Sequence, residues 1–332
     1  MPANNLLAQS TLEAFRKTSM ASDTVVQLEG VVKRFGGKPA VNGVDLEVPR
    51  GSMFGFIGPN GSGKTTTIRM ILRIYQPDQG RVSVLGQDHG TAADDRVGYL
   101  PEERGLYRRM TVRRVLQYFA SLKGMRNANA IIDQQLERLG AKDWQKKRIE
   151  ELSKGMAQKV QFIVATIAKP ELVILDEPFS GLDPVNLELM RDVVMELRAQ
   201  GTTVIFSTHD MAIAQGMCDR VFMIYQGNKV LDGTLTEIQQ QYGACQVRVA
   251  LADGVGLPEH IPGTSGRSTT GKFTILDLND ESARTPVLQT LMQAGEVEHF
   301  EVVQPTLHDI FVRIAKPNSQ DNETTIEEAS HA

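Results

Sequence analysis

The stretch Gly58-Pro59-Asn60-Gly61-Ser62-Gly63-Lys64-Thr65-Thr66 limits what this chain can fold into more than any other. It fits G-x-x-x-x-G-K-[ST], follows the apolar residues Met53, Phe54, Phe56 and Ile57, and precedes Ile68, Ile71 and Leu72 at helical spacing. A strand, a glycine turn and a helix in that order make a cradle for phosphate. Glycines let successive backbone N–H groups converge on one anion, which bulkier residues obstruct at that curvature. Lys64 brings a point charge for β- and γ-phosphates, Thr65 a hydroxyl for Mg2+, and the helix the positive end of its dipole. The expected fold is α/β.

With 332 residues, the chain is long enough for one large domain or two smaller ones, and two are expected. A net charge of −4 without a basic block argues against a nucleic-acid partner held through phosphate contacts. The two cysteines, Cys218 and Cys245, lie far apart without a metal-like spacing, which suits a reducing compartment and makes the cytoplasm the expected location. The longest apolar run, 162–168, falls far short of the ~20 residues of a membrane helix. Residues 1–23 carry no signal-peptide pattern and are expected to be disordered.

Ahead of the loop, 25–28, 31–35 and 44–48 are short, β-branched and separated by glycines, so antiparallel strands are expected there. Phe35 is placed to stack on a purine or to serve as an ordinary core aromatic. After the loop helix, 81–86 and 97–101 read as strands. From 102 to about 152 the period turns helical, with Val112, Val115, Leu116 and Phe119 on one face, which marks an inserted helical subdomain.

Ser153 then caps a helix carrying Val160, Ile163, Val164 and Ile167. Leu172-Val173-Ile174-Leu175 reads as a strand buried on both faces, and it ends in Asp176-Glu177. Two carboxylates there are costly without a cation or a proton-transfer task. Asp183-Pro184 opens a helix as cap and first-turn proline. The strand at 203–206 leads to His209, where open α/β sheets bind ligands. A hairpin at 221–231 closes the first domain, expected over 24–240. A small α+β domain over 241–316 follows, with strands at 246–251, 273–278 and 297–303 and helices at 286–294 and 306–314. The polar tail 317–332 is expected to be disordered.

As an ordered set, these features resemble the nucleotide-binding subunit of ATP-binding cassette (ABC) transporters. Residues 58–66 match its Walker A loop, 172–177 its Walker B strand, 180–183 its D-loop and His209 its switch histidine. Leu152-Ser153-Lys154-Gly155-Met156 stands at the LSGGQ signature, with Lys154 and Met156 replacing a glycine and a glutamine. Phe35 occupies the adenine-stacking position, and Glu102 stands where the family usually has a glutamine. The residues ending Pro305-Thr306-Leu307-His308-Asp309-Ile310-Phe311 are similar to the C-terminal extension of ABC-2 type drug, antibiotic and sodium exporters.

The resemblance implies a P-loop ATPase with an antiparallel β subdomain and bound ATP and Mg2+. Thr65, Asp176 and Glu102 would face the metal, Glu177 would polarise the attacking water, and His209 would hold it in line. Ser153, Gly155 and Asp183 would complete the ATP site of a second copy or of a related ATPase. A polytopic permease would anchor the pair to the cytoplasmic face of the membrane, and Leu106, Tyr107 and Met110 are the docking candidates. Export is the expected direction. An importer subunit, or a cassette ATPase acting on ribosomes or DNA, remains the alternative.

Overall fold

The computed structural model describes residues 24–88, 95–103, 105–242, 246–252 and 255–315. The expected disordered stretches 1–23 and 317–332, and Cys245, lie outside these residues. The chain divides into two compact units, Met1–Asp232 and Gly233–Ala332. A division at 232 assigns residues 233–240, read from sequence as the end of the first domain, to the second unit.

In the first unit the order is β1 (Thr24–Phe35), β2 (Lys38–Pro49), β3 (Met53–Ile57), α1 (Lys64–Ile71), β4 (Gln79–Val84), β5 (Gln87–Asp88) and β6 (Val97–Leu100). There follow α2 (Val112–Leu122), α3 (Asn129–Arg138), α4 (Lys154–Thr166), β7 (Leu172–Asp176), α5 (Pro184–Ala199), β8 (Thr203–Thr208), α6 (Met211–Met217), β9 (Arg220–Tyr225) and β10 (Asn228–Gly233).

Two sheets result. The first has the order β2-β1-β4-β5 and is antiparallel throughout. The 25–28 and 31–35 segments are one strand rather than two, because Glu29 and Gly30 form a bulge with a register shift between Leu28 and Val31. Gly30 sits at φ +55°, where a glycine bends a strand without ending it. The second sheet has the order β10-β9-β3-β8-β7-β6, and β6, β7, β8, β3 and β9 pair in parallel.

Both faces of the parallel sheet are covered, which is why its strands read as unbroken apolar runs. Alternate residues serve opposite layers, as the pleat requires. Leu172, Ile174, Ile205, Phe54 and Phe56 join the core shared with α1 and the antiparallel sheet. Val173, Leu175, Val204 and Phe206 join the core shared with α2, α3 and α4. The helical subdomain expected over 102–152 consists of α2, α3 and the single turns Lys142–Trp144 and Ile149–Glu151.

The second unit comprises α7 (Leu235–Tyr242), β11 (Gln246–Leu251), β12 (Thr264–Thr270), β13 (Phe273–Leu278), α8 (Arg284–Ala294), β14 (Val297–Val303) and α9 (Leu307–Ala315). Its sheet runs β12-β13-β11-β14. Val247, Val249, Leu276 and Leu278 pack there with Val287 and Leu291 of α8. Strand β12 and helix α7 are additions to the sequence reading.

Candidate functional site

Because β3, β7 and β8 run the same way, the loop after β3, the acids at the end of β7 and the histidine after β8 emerge at one edge of the sheet. This is the edge where open α/β sheets hold ligands. The register sets Asp176 against Ser207 and Ile57 against Thr208.

Two glycines fix the path of the loop. Gly58 has φ +149°, and a Cβ there would lie 2.2 Å from the carbonyl oxygen of Ile224. Gly63 has φ +115°, and its Cβ would lie 2.5 Å from the carbonyl oxygen of Ala40. Both positions therefore exclude side chains by conformation and by space. The turn delivers Asn60, Gly61, Gly63, Lys64, Thr65 and Thr66 to a cavity of about 350 Å3. Glu102, Asp176, Glu177 and Ala40 complete its lining. Gly58, Pro59 and Ser62 shape the loop without lining the cavity. The Lys64 ammonium donates to the Gly58 carbonyl at 2.6 Å and to the Pro59 carbonyl at 3.2 Å.

Ser207, which the sequence reading passed over, joins the two acids. Its hydroxyl donates to Asp176 Oδ1 at 2.5 Å and accepts the backbone N–H of Glu177 at 3.1 Å. Glu177 holds φ +51°, an uncommon conformation for a glutamate, and the strain falls where a side chain is aimed into the cavity. The Glu177 side chain is 8 % exposed and meets His209 Nδ1 at 2.9 Å. With Glu177 ionised, His209 donates to its carboxylate from Nδ1. His209 reaches the cavity only through Glu177.

Burial lowers the Lys64 pKa, and the charges of Glu177, Asp176 and Glu102 act against that shift. Burial raises the Asp176 pKa. The charges of Glu102 and Glu177 add to the rise, while the Ser207 hydrogen bond and Lys64 oppose it. Two buried side-chain oxygens among the described residues lack a partner, Ser62 Oγ and Asp176 Oδ2. A buried oxygen without a hydrogen-bond partner is one that a water, an ion or a ligand can satisfy. Thr65 and the acids of the lining offer the oxygen ligands that a hard divalent cation takes, although among the described residues no three acidic, histidine or cysteine side chains are gathered closely enough to hold a metal by themselves.

Gln158, also missed from sequence, anchors the segment after β7. Its amide donates to the carbonyls of Glu177 at 3.1 Å and Pro178 at 2.5 Å. Only the packing of α4 against this turn, which the sequence does not show, gives Gln158 its partners. Gln158→Ala removes the donor to the Pro178 carbonyl and leaves the Glu177 carbonyl with the Ser180 N–H alone, at a cost of about 1–3 kcal/mol. The expected result is a lower Tm by calorimetry, together with a kcat that falls more than KM rises as the Glu177 turn loosens.

Four predicted site residues lie away from the cavity. Phe35 ends β1, is 47 % exposed and packs edge-on against Tyr75 at 5.6 Å between centroids. Ser153 and Gly155 open α4, where the Ser153 hydroxyl accepts the Met156 N–H at 3.3 Å. Asp183 caps α5 by accepting the Asn186 N–H at 3.0 Å. The Ser153 and Asp183 segments adjoin one another, since a Cβ on Gly155 would lie 3.2 Å from Leu182 and one on Gly181 3.0 Å from the Lys154 ammonium. Ser153 and Asp183 are exposed.

The profile of the ABC transporter family matches residues 41–180. That of the ATP-binding protein DrrA1-3-like C-terminal domain matches residues 233–315. The chain is 40 % identical to the ABC transporter ATP-binding protein YhaQ of Bacillus subtilis over 290 residues, covering 87 % of this chain and 97 % of that one. It is 32 % identical to a fluoroquinolones export ATP-binding protein of Mycobacterium tuberculosis, over 87 % of this chain and 93 % of the relative. A solved ATP-binding subunit of an ABC transporter superimposes with a TM-score of 0.63 at 29 % identity, over 66 % of this chain and 93 % of that structure.

Proposed function

The chain belongs to the ATP-binding subunits of ABC transporters, and we propose that two copies of it close over ATP to drive a separate membrane permease, in the direction of export. ATP is the substrate of this family, and its hydrolysis energises the permease. The observation that carries the assignment to this site is the meeting of Lys64 with Asp176 and Glu177 in one cavity, at the carboxyl edge of a parallel sheet. Similarity to a fluoroquinolones export protein and to the DrrA1-3-like C-terminal domain supports export.

In this reading the loop N–H groups and Lys64 hold the β- and γ-phosphates. Glu177 accepts a hydrogen bond from the attacking water, and His209 fixes the Glu177 carboxylate and the water in line, so that catalysis is mostly positioning and electrostatics. Mg2+, held by Thr65, Asp176 and Glu102, would neutralise charge on the phosphates. Phe35, exposed at the end of β1, offers its ring to the adenine. Ser153, Gly155 and Asp183 lie outside the cavity of their own chain, which is the placement needed to close the cavity of a second copy. ATP bound across both copies favours the closed pair by mass action.

No helix among the described residues is long and apolar enough to cross a membrane, so in this reading the span comes from the permease, at the cytoplasmic face. Of the three docking candidates, Leu106 is buried in the core and Met110 packs against it. Tyr107 is 51 % exposed and stacks edge-on with Tyr118 at 5.4 Å, and Leu122 of the same helix is 58 % exposed. The docking face is therefore assigned to Tyr107, Tyr118 and Leu122. Extraction of the tagged chain from membranes in detergent should recover ATP hydrolysis together with a polytopic membrane protein. Recovery with ribosomes instead would overturn the transport role.

A further inference from the structure

We infer that Glu102 makes nucleotide binding itself depend on a divalent cation, so that the chain takes up the metal complex of ATP and rejects the bare triphosphate. The inference rests on the triphosphate reading of the cavity. Among the described residues that line the cavity, Lys64 is the only basic one, against the three carboxylates of Glu102, Asp176 and Glu177. The Lys64 ammonium is already shared with the carbonyls of Gly58 and Pro59.

A bare triphosphate carries a charge of about −4, and the loop draws it toward a wall whose own charge is negative. A divalent cation halves the charge of the ligand and meets the carboxylates with the opposite sign. The wall has an oxygen to offer it, because Asp176 is 1 % exposed and its Oδ2 has no hydrogen-bond partner. Glu102 differs from the other two acids in kind. Asp176 and Glu177 are buried and tied to Ser207, whereas Glu102 lies exposed on the segment after β6 and lines the same cavity.

The same charge therefore has two opposite effects. Toward a metal-free nucleotide it is repulsive, and toward the cation of a metal complex it is attractive. By linkage, the factor by which the metal tightens nucleotide binding equals the factor by which the nucleotide tightens metal binding, and Glu102 enlarges both.

The test measures affinity rather than turnover. The full chain, Glu102→Gln and Glu102→Ala are titrated with the non-hydrolysable analogue AMP-PNP by calorimetry, once with excess Mg2+ and once with EDTA. Removing the metal is expected to weaken binding by about a hundredfold in the unaltered chain and by about tenfold less than that in both variants. Agreement between Gln and Ala assigns the effect to charge rather than shape. Glu102 is exposed, so the Tm of each variant should match that of the parent. Equal metal dependence in all three proteins would overturn the inference while leaving the nucleotide site in place. Absence of AMP-PNP binding in every arm would overturn the nucleotide reading and this inference with it.

Discussion

Glu177→Gln is expected to lower ATP turnover by about a hundred- to a thousandfold while leaving ATP affinity near that of the unaltered chain, the range of a removed general base. The substitution keeps the shape and volume of the side chain, so the cavity and the turn held by Gln158 and Ser207 should persist. What it removes is the negative charge that polarises water. The amide also changes the contact with His209, which now meets Nδ1 as a neutral partner. Binding and turnover should separate cleanly, because the phosphate loop holds the nucleotide from the other wall. Steady-state phosphate release and a parallel binding titration read the two quantities, and a variant that still hydrolyses at the parental rate would remove Glu177 from its role.

Lys64→Ala should act on the opposite quantity. A charge-assisted hydrogen bond is worth about 1.5–3 kcal/mol, so loss of the ammonium weakens ATP binding by about ten- to a hundredfold. The effect is expected at the upper end, because the deletion leaves three carboxylates lining the cavity without their counter-charge. The Lys64 ammonium also ties the Gly58 and Pro59 carbonyls together, so a modest fall in Tm should accompany the lost affinity. Unchanged ATP binding in a titration would contradict the phosphate-holding role.

Much of this site is legible in the sequence because its residues fall at punctuation points. Four apolar residues ending in Asp176-Glu177 mark a buried strand and its carboxyl end, and Asp183-Pro184 marks a helix start, with no knowledge of the partners. Ser207 and Gln158 escape such a reading for a physical reason. Ser207 meets Asp176 through the register of two parallel strands about thirty residues apart, and Gln158 meets Glu177 through helix packing. Neither neighbour is written locally.

Strand assignment fails in a similar way at both ends. Glu29-Gly30 carries the composition of a turn, yet pairing with β2 and β4 on either side keeps β1 continuous. The sequence Thr-Ser-Gly-Arg-Ser-Thr-Thr of β12 has no apolar alternation because it is an edge strand, paired only with β13. The boundary between the units is blurred by α7, whose Ile238 is its one buried residue and gives little periodicity to read.

The placement of Ser153, Gly155 and Asp183 away from the cavity gives the two-copy site its most direct test. Light scattering of Glu177→Gln, measured without nucleotide and then with saturating ATP and Mg2+, should report a mass that doubles on addition of ATP. Placing Ser153→Arg in the same protein should abolish the doubling without altering ATP affinity in the single chain. A Glu177→Gln protein that binds ATP fully and keeps the mass of one chain would contradict a site shared between two copies.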